Sequence, residues 1–148
     1  MTGTAWVAGG DGGIGAACAQ ALADDGFVVH ASDRPDEDIT QPGTADEVAG
    51  RLASQGVVTA AVHTIGMSGR RLGDGWVSQC SDVAWDEVLR VNLTSAFYFA
   101  RACLNHCQPG ASVVFVGSAL AKGLDSEFMT AAYRVAKAAM IPLLEASA

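Results

Sequence analysis

Two side chains near the end of the chain could move a proton at a substrate oxygen. Tyr133 and Lys137 are four residues apart in a predicted helix, so they share one helix face, one turn from each other. A phenol ordinarily ionises near pH 10, and a nearby ammonium group favours the phenolate. The pair could therefore act as a general acid or base. For an isolated pair, a surface tyrosine with a lysine one turn away is the commoner interpretation.

Asn92 and Ser118 are two further polar residues in places where chemistry could occur. Asn92 falls on the apolar stripe of a predicted helix, between Trp85 and Ala96. A buried amide without partners costs about 1–3 kcal/mol, so it must bond either a ligand or a neighbouring backbone group. Ser118 directly follows a predicted strand, where ligands collect in a parallel sheet, although serines are also common in loops.

A glycine-rich loop near the start of the chain could hold phosphates. The predicted first strand runs into Gly9-Gly10-Asp11-Gly12-Gly13-Ile14-Gly15, and a helix follows at once. Glycines let the backbone approach a pyrophosphate closely, and the helix N-terminus offers unpaired N–H groups and a partial positive charge. A plain tight turn is the alternative for the glycines taken alone.

Asp33 is placed to recognise the adenosine ribose of a dinucleotide. It lies eighteen residues beyond Gly15, at the end of the second predicted strand, where an acid can accept hydrogen bonds from ribose hydroxyls. A carboxylate there would repel a 2′-phosphate, and Asp11 adds negative charge, so NAD is favoured over NADP. Arg34 keeps NADP open, because an arginine in this area can hold the extra phosphate.

The elements that must position these residues alternate between short apolar strands and longer helices. This alternation is typical of βαβ units around a parallel sheet. The predicted strands are residues 4–8, 27–32, 57–63 and 113–117, and the predicted helices are 14–25, 45–54, 85–107 and 131–146. Without an internal repeat or linker, residues 1–148 are predicted to form a single dinucleotide-binding domain.

Composition restricts the partners. The net charge is −7, and half of the residues are hydrophobic. A compact protein that binds neither nucleic acid nor an anionic membrane is expected, because both partners require clustered positive charge. No secretory signal is visible, and no apolar run approaches the roughly 18 residues of a membrane span.

The four cysteines favour a cytoplasmic protein with reduced thiols, because none forms a CxxC motif. Cys103 and Cys107 share a predicted helix face and could hold a metal. No second ligand pair accompanies them, so packing is the favoured interpretation and no metal site is predicted.

The motifs occur in the order typical of the short-chain dehydrogenase/reductase family, which the chain resembles over essentially its whole length: Gly9-x3-Gly13-Ile14-Gly15, Asp33, Asn92, Ser118 and Tyr133-x3-Lys137. The stretch 90–97 is similar to the family's Asn-bearing helix, and Asp38-Ile39-Thr40 to its Asp-Val segment near the adenine ring. The resemblance implies an α/β fold, a Rossmann-like doubly wound parallel sheet with helices on both faces, with the C-terminal strands missing.

The resemblance also implies hydride exchange between a nicotinamide and a small-molecule alcohol or carbonyl substrate. Tyr133 would be the acid/base, and Lys137 would assist it and hold the nicotinamide ribose. Ser118 would steady the substrate oxygen, and Asn92 would bind a water that feeds a proton relay. A homodimer or homotetramer is implied. The residues implied to bind the cofactor are Gly9, Asp11, Gly13, Ile14, Gly15, Asp33, Arg34, Asp38, Ile39, Gly66, Tyr133 and Lys137.

The chain departs from the family's pattern in the first half. Ala8 replaces a threonine, and His63-Thr64-Ile65-Gly66 replaces Asn-Asn-Ala-Gly, which predicts a different local bond pattern between two strands. His63 is expected to serve structure rather than catalysis. Only four residues separate Asp33 from Asp38, fewer than the ~10–12 of a crossover to another strand, so an abbreviated sheet edge is predicted.

Further departures lie in the second half. Fourteen residues separate Ser118 from Tyr133, a slightly long active-site loop, and Pro142 is expected to kink or interrupt the last helix. Family members continue beyond that helix. The chain is therefore expected to be a fragment, or its remainder to be disordered, cleaved or supplied elsewhere, and strand 113–117 would lack its outer neighbour. Substrate specificity would lie in residues 119–130 and in the C-terminal segment that family members add. Four residues could line an apolar pocket, although core packing or loop contacts explain them equally well: Met67, Leu72, Trp76 and Met129.

Two alternatives to an oxidoreductase stay open. The altered segment 63–66 and the missing C-terminal part favour a non-catalytic dinucleotide-binding or regulatory module. The second alternative is a structural subunit that pairs with another chain through an exposed helix and sheet edge.

Overall fold

Four parallel strands form one sheet in the computed structural model, which describes residues 3–123 and 129–147. The strands are β1 (Thr4–Ala8), β2 (Val28–Ser32), β3 (Val58–His63) and β4 (Ser112–Phe115). Their order is β2-β1-β3-β4, and each neighbouring pair is parallel. The α/β class and the parallel sheet are confirmed, and every predicted strand end lies within two residues of the observed one.

In the described part of the chain, five α-helices accompany the sheet: α1 (Gly13–Asp24), α2 (Thr44–Gln55), α3 (Asp82–Leu89), α4 (Ser95–His106) and α5 (Ala131–Glu145). The residues Arg70–Leu72 and Ala119–Lys122 form 3-10 turns. The prediction of one helix over 85–107 is wrong in two respects. The helix begins earlier, because the Ser81 hydroxyl caps it by accepting the Ala84 N–H at 3.1 Å. A π turn, Arg90–Thr94, then separates α3 from α4.

The sheet has the Rossmann-like strand order without its third strand. The full order is 3-2-1-4-5, and removal of the third strand leaves the order seen here. Residues 33–43, all of which the structure describes, form turns between β2 and α2 rather than a helix and strand. The predicted abbreviated edge is therefore confirmed, and β2 lies at the edge of the sheet.

Pro142 does not interrupt the last helix, so the prediction of an interruption is wrong. The helix α5 continues through Pro142 to Glu145, and the Ala146 N–H donates to the Pro142 carbonyl at 3.1 Å. A proline removes one backbone donor, and near a helix end that loss leaves most of the helical bonds in place.

The chain divides into two compact units. The first comprises Met1–Thr64 and Tyr98–Val116, with the whole sheet, α1, α2 and most of α4. The second comprises Ile65–Phe97 and Gly117–Ala148, with α3, the π turn, both 3-10 turns and α5. That residues 1–148 act as a single domain stays a prediction.

The core of the first unit surrounds the central strand β1, whose Trp6 is fully buried. The Trp6 Nε1 donates to Ser32 Oγ at 2.8 Å, and its ring lies 4.4 Å from that of Phe99. The fully buried His63 ring packs 5.4 Å from Phe99 and 5.5 Å from Phe115, so His63 is part of this aromatic core.

The second unit has a smaller core in which α3 packs against α5. Its fully buried members are Val88, Ala132 and Ala136, and Met67 and Tyr133 pack against them. Among the described residues no helix is both long and apolar enough to cross a membrane.

Candidate functional site

The glycine loop in the first unit has a backbone that side chains would disturb. Gly9 has a φ of 86°, a conformation that favours glycine. A Cβ on Gly15 would lie 2.0 Å from the Gly9 carbonyl oxygen, so the loop and the first turn of α1 can meet only with glycine there. The stretch 11–14, with Asp11, Gly13 and Ile14, is exposed. An exposed helix N-terminus of this kind suits a phosphate group.

Thr64 fastens the glycine loop to the end of β3. Its amide donates to the Ala8 carbonyl at 2.9 Å, and its hydroxyl contacts the carbonyl oxygens of Ala8 at 2.9 Å and Gly9 at 3.1 Å. This is the local bond pattern that accompanies Ala8 and the altered segment 63–66. Sequence reasoning did not assign Thr64 a role, and its place directly after β3 was the available indication.

The Asp33 carboxylate joins the end of β2 to the glycine loop. Its Oδ2 accepts the Asp11 N–H at 3.0 Å, and its Oδ1 accepts the Arg34 N–H at 2.8 Å. The side chain is half-buried, whereas Arg34 is exposed. The structure thus brings Asp11, Asp33 and Arg34 together, and the two amide contacts orient the carboxylate.

Asp38 organises the turn that follows. Its Oδ1 accepts the Thr40 amide at 3.0 Å and the Thr40 hydroxyl at 2.6 Å, and its Oδ2 accepts from Gln41 Nε2 at 3.3 Å. Partial burial would raise the pKa of Asp38, but these hydrogen bonds and the charge of Arg34 together lower it. Ile39 is 1% exposed, so its side chain packs in the core of this unit.

In the second unit, the Asn92 amide is fully buried within the π turn. Its Nδ2 donates to the carbonyls of Met67 at 2.9 Å and Val88 at 3.0 Å, and its Oδ1 accepts the Met67 N–H at 3.2 Å. Asn92 therefore fixes the backbone at Met67. π turns inside helices are frequent at functional sites.

Lys137 is also buried, at 4% exposure, and its Nζ lies 3.5 Å from the Ile65 carbonyl. Burial lowers the pKa of its ammonium group. A Cβ on Gly66 would lie 3.0 Å from Asn92 Oδ1 and 3.4 Å from Lys137 Nζ. The structure thus brings Gly66, Asn92 and Lys137 together. Because Gly66 is exposed, a ligand could approach the two buried groups over this glycine.

Tyr133 and Ser118 both lie on or beside α5. Tyr133 is one turn before Lys137, and its side chain is half-buried against the core of the unit. The Ser118 hydroxyl accepts the Leu120 N–H at 3.2 Å, at the start of the 3-10 turn that packs against α5. The helix α5 is therefore the element around which the four predicted catalytic residues are arranged.

Asp74 caps the helix that carries Tyr133, and sequence reasoning missed it. Its carboxylate, on a residue that is 7% exposed, accepts the N–H groups of Ala132 at 3.0 Å and Tyr133 at 3.1 Å. The Gly75 carbonyl accepts the Ala131 N–H at 2.8 Å. Asp74 is distant in the sequence from the amides it caps, so no local spacing could have indicated it.

Three cysteines contact residues of their own helix or loop: Cys80, Cys103 and Cys107. Cys80 contacts Asp74 Oδ1 at 3.7 Å, and burial together with the Asp74 charge raises the pKa of its thiol. On α4, a hydrogen bond between Cys103 and Cys107 raises the pKa of Cys103, with burial adding to the effect, and lowers that of Cys107. Within residues 3–123 and 129–147, no three His, Cys, Asp or Glu side chains are grouped to hold a metal ion.

The four residues that could line an apolar pocket or make core or loop contacts have different surroundings in the structure. Met67 packs on the core of the second unit, while Leu72 and Trp76 are exposed. Met129 Sδ contacts Arg134 Nη1 at 3.5 Å. A cavity of about 290 Å³ in that unit is lined by Val77, Cys80, Asp82, Trp85 and Ala131. Of the predicted specificity segment 119–130, residues 124–128 lie outside the described part of the chain.

Comparison with known proteins gives one consistent family. The family model described as "Enoyl-(Acyl carrier protein) reductase" matches residues 36–148. The short-chain dehydrogenase/reductase ABA4 of Pyricularia oryzae (strain 70-15) is 35% identical over 101 residues, which cover 68% of this chain. The chain spans 37% of the length of that curated relative.

Solved structures share the fold. A short-chain dehydrogenase/reductase from Serratia marcescens has a TM-score of 0.82 at 23% identity, over 95% of this chain and 68% of that one. The ligand-free aldohexose dehydrogenase of Thermoplasma acidophilum has a TM-score of 0.83 at 21% identity, over 98% of this chain and 60% of that one. At these identities the likeness shows the fold alone.

Proposed function

The chain belongs to the short-chain dehydrogenase/reductase family, and on that premise we propose that it binds NAD and takes part in hydride transfer between the nicotinamide and a small-molecule alcohol or carbonyl compound. Members of this family generally bind NAD(P) and act on small molecules. NAD would supply or accept the hydride. The residues of this chain would bind the dinucleotide and move the proton at the substrate oxygen.

The first unit would bind the adenosine and pyrophosphate part of NAD. The exposed loop from Asp11 to Ile14 would receive the phosphates at the N-terminus of α1. The Asp33 carboxylate is held by two backbone amides and would accept the ribose hydroxyls. Its charge, with that of Asp11, supports NAD rather than NADP, because both would repel a 2′-phosphate.

The second unit would hold the nicotinamide ribose and the reacting oxygen. Tyr133 would exchange the proton, Ser118 would steady the oxygen, and Lys137 would hold the ribose and assist Tyr133. Asn92 would support a water that relays the proton. A homodimer or homotetramer is part of the proposal, because family members are typically oligomeric.

The observation that carries the proposal is the burial of Lys137 beside Gly66 and Asn92, one turn from Tyr133. Removing an ammonium group from water opposes folding, so a lysine in this position calls for a functional reason. Residues with perturbed pKa values collect at functional sites, and burial lowers the pKa of Lys137.

The substitution Tyr133→Phe tests the proposal. A general acid/base contributes about 10²–10⁴-fold to a rate, so we expect turnover of NADH with a panel of carbonyl compounds to fall at least about 100-fold. NADH affinity, measured by calorimetry, should stay near that of the wild type. Tyr98→Phe, on α4 in the first unit, is the matched control and should leave both unchanged. Equal turnover by Tyr133→Phe and the wild type would contradict the assignment.

A second candidate is a dinucleotide-binding module without catalysis. The observation that favours it is the Asn92 amide, which bonds the backbone of Met67 and Val88. Tight NADH binding, with no turnover of any carbonyl compound by a wild-type chain of verified mass, would support this candidate over the enzyme.

A further inference from the structure

The shortened segment between β2 and α2, residues 33–43, carries two of the residues proposed to bind adenosine. Asp33 begins this segment and Asp38 lies in its middle. In the full Rossmann order a third strand follows β2. Among the described residues no strand pairs with β2 on its outer side, so other contacts must hold the segment against the sheet edge.

Glu37 supplies such contacts to both neighbouring elements. Its Oε2 lies 2.6 Å from Nε2 of His30 on β2, and its Oε1 pairs with Nη2 of Arg51 on α2. Arg51 Nη2 is also 3.5 Å from His30 Nε2. The side chains of Glu37 and His30 are only 23% and 27% exposed. One carboxylate therefore joins a strand, a helix and the segment between them.

The position of Glu37 is linked to the proposed adenosine ligands. Its amide donates to the Asp33 carbonyl at 2.9 Å, and Asp38 is the next residue. The Asp33 carboxylate in turn accepts the Asp11 amide of the glycine loop at 3.0 Å. If the Glu37 side chain released β2 and α2, the orientation of both aspartates would be free to change.

We propose that Glu37 is a positioning residue for the dinucleotide: by contacting His30 and Arg51 it holds segment 33–43 so that Asp33 and Asp38 face the adenosine half of NAD. The inference rests on the proposed function, since it presumes that the first unit binds NAD. Glu37 itself need not touch the ligand. Its contribution is to hold a segment that has no strand to support it.

The experiment measures the affinity for ADP-ribose and for NADH by calorimetry in Glu37→Ala, Arg51→Ala and the double variant. We expect each single substitution to weaken ADP-ribose binding about tenfold, a usual size for residues that act on a site through others. The double variant should bind ADP-ribose no more weakly than the single variant with the lower affinity, because both substitutions break the same contacts among Glu37, His30 and Arg51. Glu37→Gln keeps an acceptor oxygen and should recover part of the affinity.

Asp36→Asn is the matched control, because Asp36 is exposed and lies in the same segment. It removes the same charge and should leave both affinities unchanged. Melting temperatures separate positioning from mere stabilisation. If Glu37 only stabilised the fold, its loss would lower the melting temperature and leave the dissociation constant of the folded protein unchanged.

The outcomes separate the inference from its premise. Failure of the wild type to bind NADH and ADP-ribose overturns the proposed function, and the inference with it. Wild-type binding with unchanged dissociation constants in Glu37→Ala and Arg51→Ala overturns the inference alone. If Glu37→Ala does not fold, Glu37→Gln and Arg51→Ala decide by the same comparison.

Discussion

At the scale of single residues, Lys137 is a buried charged group, and its burial opposes folding. It is 4% exposed, and burial lowers the pKa of its ammonium group below the ordinary value. Asn92 is fully buried nearby, but its amide donates hydrogen bonds to the backbone carbonyls of Met67 and Val88. These bonds offset the free-energy cost of burying the amide. The Lys137 ammonium is charged, and burying a charge costs more free energy than burying a neutral amide, so replacing Lys137 by an apolar residue should stabilise the protein.

Lys137→Met should raise the melting temperature at neutral pH, by about 2–4 °C for each kcal/mol gained. Below its lowered pKa, Lys137 is charged in both the folded and the unfolded chain, and folding bears the full cost of burial. Between that pKa and the ordinary value of about 10.4, the unfolded chain binds more protons, so the stability of the wild type rises with pH.

Melting curves from neutral pH to pH ~10.4 check this, because the advantage of Lys137→Met should shrink as the wild-type lysine loses its proton on folding. Lys122→Met, at an exposed lysine, is the control and should show no such trend. An advantage that stays constant or grows with pH would contradict the burial argument.

Asp33→Asn tests the choice of dinucleotide at the same scale. Hydrogen bonds to a charged group contribute about 1.5–3 kcal/mol, so loss of the carboxylate should weaken NADH binding about tenfold or more. NADPH should lose no affinity, because a repulsive charge has been removed. The ratio of the NADPH dissociation constant to the NADH dissociation constant should therefore fall. Asp36→Asn is the control and should leave this ratio unchanged. An unchanged ratio would show that Asp33 does not set the preference.

At the scale of elements, the helix α5 depends on a residue from a distant part of the chain. Asp74 accepts the N–H groups of Ala132 and Tyr133 in its first turn. The first four amides of a helix have no partner within the helix. A capping carboxylate accepts hydrogen bonds from them, and its negative charge interacts favourably with the partial positive charge at the helix N-terminus. The cap therefore helps to set the helix position from which Tyr133 projects.

Asp74→Ala should lower the free energy of unfolding by about 1–2 kcal/mol, the usual effect of losing a helix cap. Hydrogen exchange of the Ala132 and Tyr133 amides should accelerate beyond this global change, because both lose their acceptor. Asp86→Ala, at an exposed position of α3, is the control for urea unfolding and exchange. Unchanged protection of these two amides in Asp74→Ala would rule out the capping role.

The elements that the sequence predicts best are those determined by local patterns. The strands are nearly continuous apolar runs bounded by turn residues, so their ends follow from the chain itself. The sequence does not predict the π turn Arg90–Thr94, because its apolar pattern there is the same as that of an uninterrupted α-helix. The caps by Asp74 and the tether by Thr64 depend on residues far apart in the chain, and no spacing rule links such residues.

At the scale of the whole molecule, each of the two units carries its own group of the proposed residues. The first contains the glycine loop, Asp33, Asp38 and the Glu37 contacts, around a sheet with the order β2-β1-β3-β4. The second contains Gly66 and the four proposed catalytic residues around α5. The strand β4 forms the other edge of the sheet, and Val113 and Val114 are exposed on it, at 38% and 50%. The expectation of an edge without an outer neighbour fits the described residues.

Hydride transfer is the central claim, and isotope transfer tests it most directly. NADH deuterated at C4 of the nicotinamide would be incubated with a panel of carbonyl compounds and the products analysed by mass spectrometry. We expect deuterium on the carbinol carbon of a product formed by the wild type, and at least about 100-fold less in the same time with Tyr133→Phe. Equal deuterium transfer by the two proteins, or NADH binding with no deuterium in any product, would contradict it.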